Sequence, residues 1–397
     1  LGGPDSKALA ARDSSKLVIN IGGGSEDKEK KPGIEAMKAV ISGKRWQASE
    51  KTLIDYDGLL SLKAASFNTV DGLVLGTGMT MSTKAGEKGR LTLSPSVKYA
   101  FGRERLMWAV NAGIFYNPAT SGNFYIRTGS FSKEFSPSGV NSVVNTVSSL
   151  FFRKNWMKLY NSTFIIAGHS SDLANGLNLN LSAMWEHRET LENNSGFSFF
   201  RPEKEYTVNL PGNQFVTGDV PGYGALPPTD HYHFSFLAAL RYTPRQHYRI
   251  QNGLKISAGS DYPTFTLTWK HGYNYNDTPS GNFDMLKADI SSTDRFGALS
   301  EFRWRITGGG FFNRKNLQLQ DMYFFNTQES PVLLNSFGDA FYLKPYYSVS
   351  SPSFFSEAHV RYTTPWLLLK RLPGLSRTLI RENIGLSALW TPDYGFY

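Results

Sequence analysis

Between Gly176 and Glu189, Leu177, Leu179, Leu181, Ala183 and Trp185 alternate with Asn178, Asn180, Ser182 and Met184. An extended chain turns successive side chains to opposite faces, so a period of two predicts a strand with one apolar and one polar face. The beat recurs through most of the chain. Leu73, Leu75, Thr77, Met79 and Met81 alternate with Val74, Gly76, Gly78, Thr80 and Ser82, and Leu91, Leu93, Val97, Tyr99 and Phe101 alternate with Thr92, Ser94, Ser96 and Lys98. Trp108, Val110, Ala112, Ile114 and Tyr116 stand against Ala109, Asn111 and Gly113. It returns over Phe234–Tyr242, at Phe265, Leu267 and Trp269, at Phe302, Trp304 and Ile306, at Ala358, Val360 and Tyr362, and from Ile384 to Trp390. Weaker segments at Asn123–Phe131, Met157–His169, Arg249–Ala258, Phe283–Ser292 and Leu317–Phe325 bring the expectation to about fourteen strands, many of them at the ~9–11 residues of a tilted membrane strand.

Two stretches follow a helical period instead. After the charged loop Ser25–Gly33, Ile34, Met37, Val40 and Ile41 recur at helical spacing and stop at Gly43, which predicts a short helix with a glycine cap in a leader over residues 1–66. Val140, Val143, Val144, Val147, Leu150 and Phe151 form a second such stripe after Ser136 and Pro137. It predicts an amphipathic helix of about three turns packed by its apolar face on one end of the sheet, with a gate or plug as the alternative. The long connections Leu191–Asp230 and Asn313–Ser353 are expected to be functional or surface loops.

An alternating strand needs an apolar medium on one side and a polar one on the other. A soluble sandwich offers a core and water; a membrane barrel offers lipid and a polar interior, closed so that no edge amide is left unpaired in hydrocarbon. Here the beat outlasts the ~5–6 residues of an ordinary strand and ends in rings: Tyr99 and Phe101, Trp108 and Tyr116, Trp185, Trp269 with Tyr273 and Tyr275, and Trp390. Aromatics at strand ends fit interfacial girdles. Composition points the same way, because aromatics reach 14% while charged residues are 19%, below the ~25% of an average globular protein. The expected fold is therefore an all-β transmembrane antiparallel barrel over 67–397, with the helical leader on its periplasmic side. Leu91, Leu93, Trp108, Leu177, Leu179, Leu181, Trp185, Trp269 and Trp304 would face lipid, and Asn178, Asn180, Glu301, Arg303, Arg305, Glu357 and Arg361 the lumen.

No apolar run approaches the ~18 residues of a spanning helix. With no cysteine in 397 residues, disulfide scaffolds, thiol nucleophiles and Cys-type metal centres are excluded. The net charge of +9 is scattered rather than clustered outside Lys28–Lys31, which favours lipid headgroups or solvation over nucleic acid.

Three stretches carry a resemblance: FNTVDGLVLGTG at Phe67–Gly78, RYTPRQHYRIQNGLKISAGSDYPTFTLTWKHG at Arg241–Gly272, and YTTPWLLLKRLPGLSRTLIRENIGLSALWTPDY at Tyr362–Tyr394. They resemble the barrel region of a Bacteroidota outer-membrane family classed as a domain of unknown function. Its full-length members are similar to a carboxypeptidase-regulatory-like domain followed by a connector and a barrel, itself distantly similar to outer-membrane assembly and translocation barrels. The resemblance implies about sixteen strands, with about one hairpin still to follow Tyr397, and it supplies no catalytic motif.

Local chemistry is sparse. Asp230, His231 and His233 form a D-H-x-H cluster whose spacing suits a metal ion, although interfacial polarity is the ordinary account of such a strand start. Gly76-Thr77-Gly78 and Gly308-Gly309-Gly310 lack the lysine and helix of a phosphate loop. His169, His187 and His359 are candidates for a barrel-wall hydrolase with Ser, His and an acid on adjacent strands. Glu301, Arg303, Arg305, Glu357 and Arg361 suit a register-fixing ion network or a selectivity lining. The function expected is non-enzymatic and cofactor-free: a scaffold, channel or assembly and translocation partner in the outer membrane of a Gram-negative cell, in contact with lipid and other envelope proteins. A barrel-wall hydrolase of lipid or protein and a soluble all-β binding protein are the alternatives.

Overall fold

The computed structural model describes residues 40–59, 65–86, 89–212, 214–217, 228–251, 254–275, 281–297, 299–315, 317–330, 340–365, 367–368, 371–372, 374 and 380–397. Among these the chain is almost wholly strand. In chain order the strands are β1 (Lys44–Ser49), β2 (Thr52–Tyr56), β3 (Ala65–Asn68), β4 (Gly72–Ala85), β5 (Gly89–Ala100), β6 (Arg105–Asn117), β7 (Gly122–Glu134), β8 (Leu159–Ala174), β9 (Leu177–Glu189) and β10 (His231–Tyr242). A hairpin of β11 (His247–Gln251) and β12 (Leu254–Gly259) precedes β13 (Thr264–Tyr275), β14 (Gly281–Phe296) and β15 (Ser300–Lys315). Four two-residue strands follow, β16 (Tyr323–Phe324), β17 (Thr327–Gln328), β18 (Phe341–Tyr342) and β19 (Ser350–Ser351), then β20 (Phe354–Thr364), β21 (Glu382–Thr391) and β22 (Gly395–Phe396). Helix α1 (Ser142–Phe152) joins β7 to β8.

Sixteen of these strands make one sheet in the order β1-β2-β4-β5-β6-β7-β8-β9-β10-β13-β14-β15-β20-β21-β22, with β3 also on β4. Its pairs are antiparallel, and twelve strands run 10 to 16 residues. Among the described residues β1 and β22, at the two ends of this order, do not pair with each other. The expected leader already joins the sheet at Lys44: Trp46 pairs with Ile54 and Tyr56 with Met79, so the two-residue beat begins before residue 67. Of the leader helix, residues 40–42 are helical and Gly43 takes φ +80° as its cap, while Ile34 and Met37 lie outside the described residues.

Register preserves the alternation along the long strands, broken by single shifts near the ends of β6, β8 and β14. On β9 and β10 the pairs Glu186–His233, Ser182–Leu237 and Asn178–Arg241 share one face, and Trp185–Phe234 and Leu179–Leu240 the other. Two glycines fix the approach to the sheet. An added Cβ on Gly43 would meet Tyr56 O at 2.5 Å, and one on Gly58, at φ +77°, would meet Gly43 N at 2.3 Å. These backbones cross in contact, and only glycine permits that; Leu59 N donates to Val40 O and Thr77 Oγ1 to Gly58 O around the crossing.

The sheet curls. Flat, the strands from β7 to β21 would spread over roughly 40 Å. Yet one hydrophobic cluster joins Phe135 after β7, Tyr160 of β8, Phe283 and Met285 of β14, Phe311 of β15, Phe355 of β20 and Leu389 of β21. At its centre lie Leu319, Phe324, Phe325, Phe341, Tyr347 and Val349, all from the connection between β15 and β20. The described residues of that connection, 317–330 and 340–353, form an insert whose apolar side chains are mostly buried against the concave face, where a functional or surface loop was expected. Leu317–Phe325, expected as a wall strand, holds a single 3₁₀ turn (Leu319–Asp321) and β16, because its apolar residues alternate to fill an interior rather than to pair in the wall.

Helix α1 forms where its period predicts, with the opposite orientation. Asn145, Ser148 and Ser149 are its buried residues, whereas Val143, Val147, Phe151 and Phe152 are exposed. Most of the buried polar stripe is hydrogen-bonded: Trp156 N and Met157 N donate to Asn145 Oδ1 at 2.8 and 3.1 Å, Asn145 Nδ2 donates to Asn155 Oδ1 at 2.8 Å, and Tyr206 donates to Ser149 O at 2.7 Å, while the buried Ser148 hydroxyl has no partner among the described residues.

Candidate functional site

The insert is held to the concave face by ions. Arg188 on β9 donates from Nη1 and Nη2 to the two carboxylate oxygens of Asp321 at 2.9 and 3.1 Å, and from Nε to Glu186 at 2.7 Å. Lys133 on β7 donates to Glu186 at 2.9 Å, and Ser162 on β8 also donates to that carboxylate. Asn274 on β13 donates to Asp321 at 2.8 Å, Lys270 stands 3.5 Å from it, and His233 on β10 bonds Asn274 through Nδ1. Five wall strands therefore converge on Glu186 and Asp321. Arg188 and both carboxylates are almost fully buried. Burial alone would raise the Asp321 carboxyl, but Arg188, with His233 and Lys270, holds it well below the ordinary carboxylate range.

Two further ties secure the insert, Tyr347 toward its C-terminal end and Tyr323 beside Asp321. Tyr347 donates to Glu134 at 2.5 Å, and Tyr323 donates to Glu357 at 2.8 Å while stacking on Phe355 at 3.7 Å. Burial and then the Glu134 charge keep the Tyr347 hydroxyl protonated far above its usual range. The insert is clamped at both ends to strands on opposite sides of the curl. Chemically, this arrangement can hold a folded segment across the interior and release it only at the cost of stranding charges.

All seven residues expected in the lumen, Asn178, Asn180, Glu301, Arg303, Arg305, Glu357 and Arg361, share the concave face by register. All nine expected to face lipid, Leu91, Leu93, Trp108, Leu177, Leu179, Leu181, Trp185, Trp269 and Trp304, share the convex one. The expected ion network is rearranged. Arg305 pairs with Asp289 at 2.6 Å, joined by Lys287 and Thr307, and Arg303 turns to Glu301 at 3.0 Å.

Asp230, His231 and His233 do not converge. Asp230 accepts from Thr190 N and Oγ1, His231 donates to Thr229 O with its Nε2 3.4 Å from Arg188 Nη1, and His233 lies at Asn274 and Asp321, so the two histidines flank an ion cluster that Asp230 does not join. Among the described residues no three His, Asp or Glu side chains are disposed to hold a metal ion.

Of the three candidate histidines only His359 is concave. His169 stacks on and bonds Tyr116 with its ring tilted against Phe124, and His187 stacks on Tyr232, all on the convex face. Register decides this, since each lies one residue out of step with the polar beat. His359 Nδ1 lies 2.8 Å from Ser387 Oγ and its Nε2 lies 3.5 Å from Glu357.

Lys133, Glu186, Arg188 and Asp321 were not singled out from the sequence. A cue existed: Glu186 and Arg188 continue the polar beat of Asn178, Asn180 and Ser182 as full charges. Asp321 had none, because nothing local marks its partner as Arg188.

No curated protein matches this chain. The structure of CdiB from Acinetobacter baumannii is similar at a TM-score of 0.35 and 8% identity, covering 88% of this chain and 52% of that one, so the chain spans about half the length of that relative. A family model described as the C-terminal domain of a family of unknown function (DUF5686) matches residues 37–397, and the chain belongs to that family.

Proposed function

We propose that this domain is a closed transmembrane β-barrel of a Gram-negative outer membrane, of the Bacteroidota type, that works without catalysis as an envelope scaffold or an assembly and translocation partner. In the whole protein a carboxypeptidase-regulatory-like domain would precede it, and the rim at which the chain enters near Gly43 would be periplasmic. One observation carries the reading: the convex face is apolar and exposed between two levels of outward aromatics. Trp108, Trp185, Tyr232, Tyr273, Phe312, Phe354 and Trp390 lie toward the rim of the inserts, and Tyr116, Tyr242, Phe265, Phe302 and Tyr362 toward the other. Within one strand the levels are eight to ten residues apart, as from Trp108 to Tyr116 and Tyr232 to Tyr242. At ~3.3 Å per residue and ~45° tilt this is roughly 19–23 Å, against the ~25 Å apolar band of a membrane barrel. Beyond the first level the outward positions turn polar: Ser132 and Asn161 bond Arg103, and Asn161 donates to Glu189 at 2.5 Å.

The clamped insert favours a scaffold or a gated passage over an open pore. The expected outcome is a membrane fraction extractable only by detergent, with a band whose gel mobility shifts on boiling. A monomer stable in plain buffer would refute the reading.

A second reading has its own observation, the Glu357–His359–Ser387 alignment across β20 and β21, with Tyr323 orienting Glu357. In a wall hydrolase His359 would take the hydroxyl proton as Ser387 attacks an acyl carbon, pass it to the leaving alcohol or amine as that bond breaks, and then activate the water that frees Ser387 from the acyl group. A fluorophosphonate probe decides: adduct on Ser387 that disappears in His359→Ala supports it, and no adduct on the folded protein removes it.

A further inference from the structure

We infer that α1 and the loop 195–201 form an amphipathic foot that seats in the bilayer leaflet at the insert rim, with Phe side chains at the acyl boundary and cations at the phosphates. The inference rests on the membrane reading above and adds a lipid contact outside the wall. Its basis is a sequence echo that the fold brings together. Phe151-Phe152-Arg153 and Phe199-Phe200-Arg201 are two Phe-Phe-Arg words. In both the arginine takes a left-handed backbone, φ 52° at Arg153 and 59° at Arg201. Their rings meet, Phe151 lying 5.5 Å from Phe199 and 5.9 Å from Phe200, with Phe197 5.2 Å from Phe199.

These rings are more than half exposed at Phe152, Phe197, Phe199 and Phe200, and Val143 and Val147 extend the apolar surface along the helix. An apolar helix face turned outward while the polar stripe is buried and mostly bonded is the reverse of packing on a protein core. Residues 142–154 and 195–201 carry Arg153, Lys154 and Arg201 and no acid, and the exposed Glu203, Lys204 and Glu205 follow Arg201 and Pro202. Lys154 meets Glu329 on the insert and Arg153 lies over the Tyr206 ring, so both cations sit at the edge of the ring cluster rather than within it. Aromatics bordered by arginine and lysine match an interfacial element on an anionic surface. The loop leaves at headgroup height, roughly 9 Å beyond the aromatic level at ~3.3 Å per residue and ~45° tilt. β9 ends at Glu189, four residues past Trp185 of the aromatic level, and the loop leaves from there, with Asn194 N and Ser195 N donating to Thr69 O.

The absence of native cysteine gives clean single-site labels. Val147→Cys, Phe199→Cys and, on the convex wall, Ile306→Cys would each carry a nitroxide in the full chain, reconstituted in phosphatidylethanolamine vesicles with one part in four phosphatidylglycerol. Collision with oxygen and with a water-soluble nickel chelate is then read. The expected result is that labels at 147 and 199, like that at 306, collide several-fold less with nickel than with oxygen, and that Arg153→Glu with Arg201→Glu abolishes this at 147 but not at 306. Labels at 147 and 199 open to nickel, with 306 protected, would overturn the foot and leave the barrel standing. Shielding from both relaxants would mean that protein covers the patch, which also overturns it. A label at 306 open to nickel would sink the membrane reading and the foot together.

Discussion

Asp321 is the residue on which the insert turns. It accepts both guanidinium bonds of Arg188 where almost no solvent reaches, so Asp321→Ala would leave Arg188 and Lys270 facing an apolar gap. Breaking a buried pair from one side costs about 3–5 kcal/mol, whereas replacing both partners with apolar residues is often near neutral. Asp321→Ala should therefore free the insert to protease while the wall stays folded, and Asp321→Leu with Arg188→Leu should restore part of the protection, since Lys270 and Asn274 still lose their acceptor. The same pair sets a pH dependence. Its carboxyl lies below the ordinary range in the folded protein, so the stabilisation is full above the unfolded Asp value and is lost as the pH falls through and below that range. Fluorescence of Trp156, whose ring sits 5.6 Å from Tyr346 of the insert, should report release on acidification in the native protein. The acid transition should be absent in the double leucine variant.

Among elements, α1 shows what a helical period does and does not contain. The spacing of Val140 to Phe151 predicted the helix, and Asn141 caps it by accepting from Val143 N and Val144 N at 3.0 and 3.2 Å. Which face turns inward was not legible, because a polar stripe packs as well as an apolar one once most of its donors find acceptors. Asn145→Leu makes the helix more apolar, yet strands Trp156 N and Met157 N; a loss of about 1–3 kcal/mol is expected in denaturant titration. The wall strands were easier, since a period of two survives whatever the partner. Asn175-Gly176 joins β8 to β9, Gly176 sits at φ +79°, and an added Cβ would meet Thr243 O at 2.2 Å. Gly176→Ala should lower the unfolding free energy, the clash and the left-handed backbone costing more than the ~1 kcal/mol that reduced unfolded-state entropy returns, read by denaturant titration.

At the scale of the molecule, the two faces should respond differently to charge. Leu286 is exposed on the convex face opposite Trp269, midway between the aromatic levels, while its neighbour Lys287 already holds a charge on the concave face against Asp289. Leu286→Arg is expected to cost about 2–4 kcal/mol in refolding into lipid vesicles, and Lys287→Arg little. A soluble fold would tolerate both. The alternation made both faces legible from sequence. The curl and the insert were not, because they depend on pairs such as Arg188 and Asp321 that are far apart along the chain and carry no shared local pattern.

The crossing of Gly43 over Gly58 bears on how force passes through the molecule. β1 begins beside that crossing and runs along β2, which runs along β4, so a pull on the chain ahead of Val40, directed along the strands, loads these ladders in shear and not by peeling. Bonds loaded side by side must fail together. The interlocked glycines would then act as a cleat, letting the wall bear traction from whatever is tethered upstream without passing it to the clamped interior.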